Sequence, residues 1–186
     1  MEKAVQEPDG LKVALFKTLA LASVHGRGSF KLAAAFKRFG LSALEHGATR
    51  LLLDMNACTG MDSTFMGVLA GLAMLFAPKA DHGLILMNLS PRNSSLLATL
   101  GLNRLVEMHA PSSLPEAIKK DIPDLAELTA LDATAGKRLT LETMLAAHED
   151  LVKASPSNLL KFQNVLDYLR ADLSKNGDDS CSSTSP

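Results

Sequence analysis

Apolar and polar positions change period several times along the chain, and each change marks an element. Val13, Leu15, Leu19, Leu21 and Ser23 follow a weak two-residue alternation, which predicts an antiparallel pair or a single broken strand over about 12–25. Gly26-Arg27-Gly28-Ser29 turns the chain, and Ser29 is a candidate N-cap for a helix from Phe30 to about Glu45. In that helix Leu32, Phe36, Phe39 and Ala43 recur at helical spacing, Lys31, Lys37 and Arg38 can stay in water, and His46-Gly47 ends the run. Leu51-Leu52-Leu53 does not alternate, as expected for a central strand covered on both faces, and Asp54 to Gly60 reads as a loop. From Ser63 to about Ala77 the chain is apolar nearly all round at helical length and stops before Pro78. Gly67 and Gly71, four apart, are expected to let this helix press closely on the sheet. Leu84-Ile85-Leu86-Met87 is a second apolar strand. Ser90-Pro91 then supplies a cap and a first helical residue for a helix reaching Leu100-Gly101, and Leu105 to Met108 makes a short last strand. Strands alternating with helices predict an α/β fold with a partly parallel sheet and right-handed crossovers, ending near residue 110.

The pattern then changes. Ala110-Pro111-Ser112-Ser113 is linker chemistry, and residues 111–138 are broken by Pro115, Pro123 and Gly136, which predicts a linker with short helical turns. Thr140 is placed as the cap of a helix carrying Leu141, Leu145, His148, Leu151 and Val152. Ser155-Pro156 starts a second helix with an apolar stripe of Leu159, Phe162, Val165, Leu166 and Leu169. Residues 139–174 thus read as a helical hairpin that must bury its stripe against the first domain, a copy of itself or a partner, and the Ser- and Asp-rich stretch 175–186 as a disordered tail.

Composition narrows the function classes. The 186 residues carry a formal charge of −1 and only 4% aromatic residues, so there is neither a cationic field for phosphate backbones nor a platform for stacking bases. Nucleic acid and membrane are therefore not expected as partners. The uncharged stretch Phe65 to Ala77 is about half to two-thirds of the roughly 20 residues a bilayer requires. Cys58 and Cys181 lack metal-ligand spacing, and Met1-Glu2-Lys3-Ala4 does not open an export signal, so a reducing, cytoplasmic setting is expected. Without a P-loop, metal motif or nucleophile elbow, the chain reads as non-enzymatic, with no cofactor and no metal.

The candidate chemistry lies at Met61-Asp62-Ser63-Thr64, where a polar turn opens the most apolar helix. Together with Met66-Gly67-Val68-Leu69, the Ser90-Pro91 helix start and Leu100-Gly101-Leu102-Asn103-Arg104, this turn resembles the STAS domain of bacterial anti-sigma factor antagonists, over roughly residues 11–109. The local match is to their phosphorylation motif, Asp-Ser-Ser/Thr-Gly-Leu-Gly. Phe65 stands where that pattern has Gly, and Gly28-Ser29 occupies the neighbourhood of an Asp in the family's first loop. The resemblance implies a STAS-like mixed sheet with a C-terminal helical hairpin extension. It also implies a partner-switching role in transcription regulation and signal transduction. The unphosphorylated protein would bind an anti-sigma factor that is a serine kinase, phosphorylation at Ser63 (or Thr64) would release it, and a serine phosphatase would reset it. Met61, Asp62, Phe65, Met66, Arg27 and Ser29 are then the candidate partner contacts.

A phosphate adds roughly 1.5–2 negative charges. The helix N-terminus tolerates an anion, favouring it by about 0.3–1 kcal/mol, whereas a partner packed on the turn would have to desolvate it beside Asp62. Other readings remain open at this level. Ser63 and Asp62 can be helix caps and nothing more. Asp54, at the end of a central strand, occupies the place of a response-regulator phosphoacceptor, although Ser23-Val24-His25-Gly26 stands where that class holds its acidic pair. The five histidines are scattered, and Asn93-Ser94-Ser95 is a sequon without consequence in a cytoplasmic protein. A self-assembling scaffold, homodimeric through the hairpin, and a small-molecule sensor are the alternative functions.

Overall fold

The computed structural model describes residues 8–76, 83–122 and 128–178. The N-terminal alternation is an antiparallel pair, β1 (Gly10–Phe16) and β2 (Leu19–Gly28). β3 (Arg50–Asp54) runs parallel to the first half of β2, and β4 (Cys58–Met61) runs parallel to its last residues, Gly26 to Gly28. Of the stretch 54–60 expected as a loop, Asp54 ends β3 and residues 58–60 belong to β4: the length of β2 leaves its outer half unpaired by β3, and the chain returns to satisfy those backbone groups. β5 (Gly83–Met87) and a two-residue β6 (Glu107–Met108) extend the parallel part, and β7 (Thr129–Ala130) closes the other edge antiparallel to β1. The order β6-β5-β3-β2-β1-β7, with β4 on β2, makes a mixed sheet.

Helices α1 (Phe30–Glu45), α2 (Ser63–Leu75) and α3 (Pro91–Thr99) follow β2, β4 and β5, matching the expected alternation. Ser90 caps α3, its hydroxyl accepting from the Asn93 amide at 3.2 Å, with Pro91 in the first turn. The last strand starts two residues later than expected because the amides of Leu105 and Val106 bond back to the Leu102 carbonyl, at 2.9 and 3.1 Å, and continue the 3-10 turn at Leu102–Arg104.

The apolar run Leu51-Leu52-Leu53 is buried on both faces of the sheet. Leu51 and Leu53 join Ala20, Ala22, Leu84 and Leu86 under the helices, while Leu52 joins Leu19, Leu21, Ile85 and Met87 on the opposite face. That second face is covered by Leu114, Ile118, Ile122 and Leu128, around the single turn α4 (Glu116–Lys119). Residues expected to form a linker thus close half of the core, and β7 returns the chain to the sheet edge.

Beyond β7 lie α5 (Lys137–Ala154) and α6 (Leu159–Asp178), joined through a 3-10 turn at Pro156–Asn158. This is the expected hairpin with shifted ends. α5 starts three residues before Thr140, with Gly136 at the cap, and the Thr140 hydroxyl donates back to the Gly136 carbonyl at 3.1 Å. α6 reaches Asp178, so 175–178, expected to open a disordered tail, are helix, and the rest of that stretch, 179–186, lies outside the described residues. α5 lies on α2, and Leu151 is buried in the main core. The turn is pinned by Asn158, 1% exposed, whose amide donates to the carbonyls of Leu100 and Leu151 at 2.9 Å each. Lys161 adds a bond to the Thr99 carbonyl at 2.8 Å. Asn158→Ala leaves two carbonyls without that donor and is expected to cost about 2–4 kcal/mol in urea unfolding. No helix among the described residues is long and apolar enough to cross a membrane.

Candidate functional site

Two helix N-termini converge on one carboxylate. Asp62 caps α2, with Oδ1 accepting from the Phe65 amide at 2.9 Å, and its Oδ2 accepts from the Phe30 amide at 2.7 Å, the first residue of α1. The Asp62 amide in turn donates to the Gly28 carbonyl at 2.9 Å, which ties the 26–30 turn to the 61–63 turn. Ser29 sits at the cap position of α1, but its side chain makes no cap bond and its hydroxyl is buried without a partner, because the reach from Asp62 takes that role. One formal negative charge already answers the positive ends of both helices.

Ser63 is the first residue of α2 and is half-buried. Its Oγ lies 3.0 Å from His148 Nε2 of α5, 85 positions away in the chain. His148 Nδ1 faces the Met144 carbonyl at 2.7 Å; only an N–H can satisfy that carbonyl, so in the neutral ring Nε2 is the acceptor and the Ser63 hydroxyl donates. The imidazole is 2% exposed and meets the Phe162 ring of α6 edge-on, with centroids 5.0 Å apart. Ser63, His148 and Phe162 therefore link three helices.

Gly67 and Gly71 continue the same stripe of α2. They press on α5 rather than on the sheet as expected: a Cβ at Gly67 would collide with the Ala147 carbonyl, and one at Gly71 with the Asp150 carboxylate. Asp150 also accepts from Lys153 at 2.8 Å, which holds that ammonium above its usual range. The apolarity of α2 all round follows from this placement, since one side faces the sheet and α1 and the other faces α5.

The remaining candidate contacts are mostly inside. Phe65 is 0% exposed and stacks on Phe36, with centroids 5.3 Å apart; it does not add apolar surface beside Ser63. It points inward because Gly28 leaves the room: a Cβ there would lie 2.8 Å from Phe65 Cδ1. Met61, Met66, Thr64 and Ser29 are buried as well, which leaves Arg27 exposed and Asp62 and Ser63 half-buried. In this closed arrangement the buried side chains cannot meet a partner without movement. His148 is the member that sequence reasoning missed as a site residue. A polar ring within an apolar stripe was its signal, but nothing local in the sequence pairs it with Ser63.

The rival acceptor Asp54 is 5% exposed, and its Oδ1 is occupied by Asn88 Nδ2 at 2.7 Å and the Asn56 amide at 3.1 Å. Asn93 of the sequon is fully buried, donating to the Cys58 carbonyl at 3.0 Å. Burial pushes the Cys58 thiol above its ordinary range, so it is held as the neutral thiol at neutral pH. Among the described residues no cluster of three or more His, Cys, Asp or Glu side chains is placed to hold a metal.

No family model matches the chain, and no curated protein matches it significantly. Solved structures do. An anti-sigma factor antagonist from Mycobacterium paratuberculosis superposes with a TM-score of 0.50 at 17% identity, covering 62% of this chain and 97% of that one. The anti-sigma factor antagonist SpoIIAA in its unphosphorylated form gives 0.48 at 15% identity, over 60% of this chain and 93% of that one. The Bacillus cell fate determinant SpoIIAA in the phosphorylated form gives 0.45 at 16%, over 60% and 96%. A mixed sheet with α1, α2 and α3 after β2, β4 and β5 is thus the STAS fold of the anti-sigma factor antagonists, to which this chain adds a helical hairpin laid across α2.

Proposed function

We propose that the chain is a non-enzymatic, cytoplasmic partner-switching regulator of bacterial type, acting as an anti-sigma factor antagonist and controlled by phosphorylation at Ser63. In this reading the unphosphorylated protein binds an anti-sigma factor that is also a serine kinase, and a serine phosphatase restores the bound state. The carrying observation is the position of Ser63: it is the first residue of α2, beside the 26–30 turn, in a STAS fold. The surroundings supply the switching physics. Asp62 already occupies the two helix N-termini, so a phosphate on Ser63 adds charge where the favourable field is largely used. A surface packed on that turn would have to bury both anions, which costs several kcal/mol when they are unpaired.

The test is to incubate the chain with an anti-sigma-type serine kinase and ATP and to map the product by mass spectrometry. Phosphate on Ser63, abolished in Ser63→Ala, is the expected result; a modified Thr64 or an unmodified protein would sink the assignment. Ser63→Asp is expected to weaken the kinase complex at least about tenfold.

A self-assembling scaffold is the second reading, favoured by one observation. α6 leaves Leu159, Leu160 and Tyr168 exposed, Leu160 at 87%. Light scattering across a concentration series distinguishes it, because a scaffold grows in mass with concentration and a monomeric regulator does not.

A further inference from the structure

The face of α2 that begins at Ser63 is already occupied, and the occupant is part of the same chain. We propose that the α5–α6 hairpin is a displaceable lid which competes with outside partners for the α2 face, and that a negative charge on Ser63 expels it. The inference rests on the reading of Ser63 as a phosphoacceptor for its biological trigger, but not for its test.

Three observations carry it. First, the α2 face is shaped for a helix backbone. Gly67 and Gly71 lack the side chains that would hold α5 away, and the Ala147 carbonyl and Asp150 carboxylate fill that space. Second, the contact at the end of the stripe depends on the chemical state of one hydroxyl. Ser63 Oγ–H donates to His148 Nε2 at 3.0 Å, and the imidazole is 2% exposed. Phosphorylation forms an Oγ–P bond and breaks the bond between the γ-phosphorus and the bridging oxygen of ATP. ADP leaves, and the hydroxyl proton is lost to base. The product has no proton to give Nε2, and the three phosphate oxygens need the volume that the imidazole now fills. Asp62 stands next to it as a like charge, its carboxylate already taken by the Phe30 and Phe65 amides.

Third, the polar anchors of the hairpin onto the rest of the fold lie at two separate places, the α5–α6 turn and the second half of α5. At the α5–α6 turn, Asn158 and Lys161 hold the carbonyls of Leu100, Leu151 and Thr99. The Ser63–His148 bond lies ten residues earlier along α5. Eviction of the imidazole by the added charge, which removal of the bond alone does not bring about, frees α5 while the turn stays fastened, which is the arrangement of a hinge. His148 carries its displacement to α6 through Phe162. Phosphorylation thereby removes both the partner and the lid from α2 and releases the Ala147–Leu151 face of α5, making the hairpin the second element of the switch.

The test uses the full chain and hydrogen–deuterium exchange read by mass spectrometry. In Ser63→Asp, amides of α5 are expected to exchange about tenfold faster or more, while those of β2, β3 and β5 keep the native rate. In Ser63→Ala, which removes the hydrogen bond without adding charge, the change stays within about threefold. A crosslink supplies the control. A Cβ at Gly71 lies 3.7 Å from Asp150 Cβ, within the span of a disulfide. In a Ser63→Asp, Gly71→Cys, Asp150→Cys protein, oxidation should return α5 exchange to the native rate and reduction should restore the fast rate. Unchanged α5 exchange in Ser63→Asp overturns the lid, as does acceleration spread equally over the sheet. Neither result bears on whether a kinase modifies Ser63, and failure of kinase modification leaves this measurement intact.

Discussion

Phe65→Ala is expected to lower the unfolding free energy by about 3–5 kcal/mol and the melting temperature by about 10 °C, the largest effect of any single change around the turn that opens α2. Phe65 is fully buried, stacks on Phe36 at an interplanar angle of 21° and fills the space over Gly28. Truncation removes the apolar area, the aromatic pair and the contacts to the backbone of the 26–30 turn together. Circular dichroism melting and urea titration measure the loss. A double-mutant cycle identifies its source. Gly28→Ala alone forces a methyl to within 2.8 Å of the ring and should cost about 1–3 kcal/mol. In the Phe65→Ala background the same methyl enters the vacated space, so its cost should fall by at least about 1 kcal/mol. Additive costs would show that the ring and Gly28 are not in contact.

Asp62→Ala is expected to cost about 2–4 kcal/mol, more than an ordinary helix cap, because one carboxylate serves two helices. Its Oδ1 satisfies the Phe65 amide and its Oδ2 the Phe30 amide, each as a charge-assisted bond. The replacement leaves both donors without that acceptor and removes the one charge that answers both dipoles. Asp62→Asn keeps a single acceptor oxygen and no charge, so about half of the loss should remain. If Asp62→Asn equals Asp62→Ala, the charge rather than the geometry is what matters; if it equals the native protein, the second cap at Phe30 is not formed in solution. Urea unfolding, with exchange at the Phe30 and Phe65 amides, separates these outcomes.

Elements governed by local chemistry were legible in the sequence. α1 and α3 begin where their turns and caps placed them, β3 reads as a strand buried on both faces, and the hairpin exists. What the sequence did not disclose are pairings made at long range. β4 reads as loop because only its partnership with the end of β2 makes it a strand. Residues 114–128 read as linker because Pro115 and Pro123 interrupt the i, i+4 spacing of Leu114, Ile118 and Ile122, yet these three and Leu128 meet on one face of the sheet. At the site, the position of Ser63 at the start of α2 was legible, whereas its bond to His148 was not. Phe65 was misjudged for a related reason: whether a residue at the third position of a helix points in or out depends on the strand behind it, and here Gly28 opens the interior. The excess apolarity of α2 was the clue that a further layer had to cover it.

The helix over α2 comes from the same polypeptide, and this sets a quantitative condition on anything else that binds there. A tethered competitor acts at an effective concentration on the order of millimolar, and unlike a free one it is not diluted with the protein. Each tenfold excess of covered over uncovered molecules weakens the apparent affinity of an outside ligand tenfold. Under the lid proposal Gly67 and Gly71, by setting how closely α5 approaches, set the threshold that an outside ligand has to overcome, without contacting the hydroxyl of Ser63.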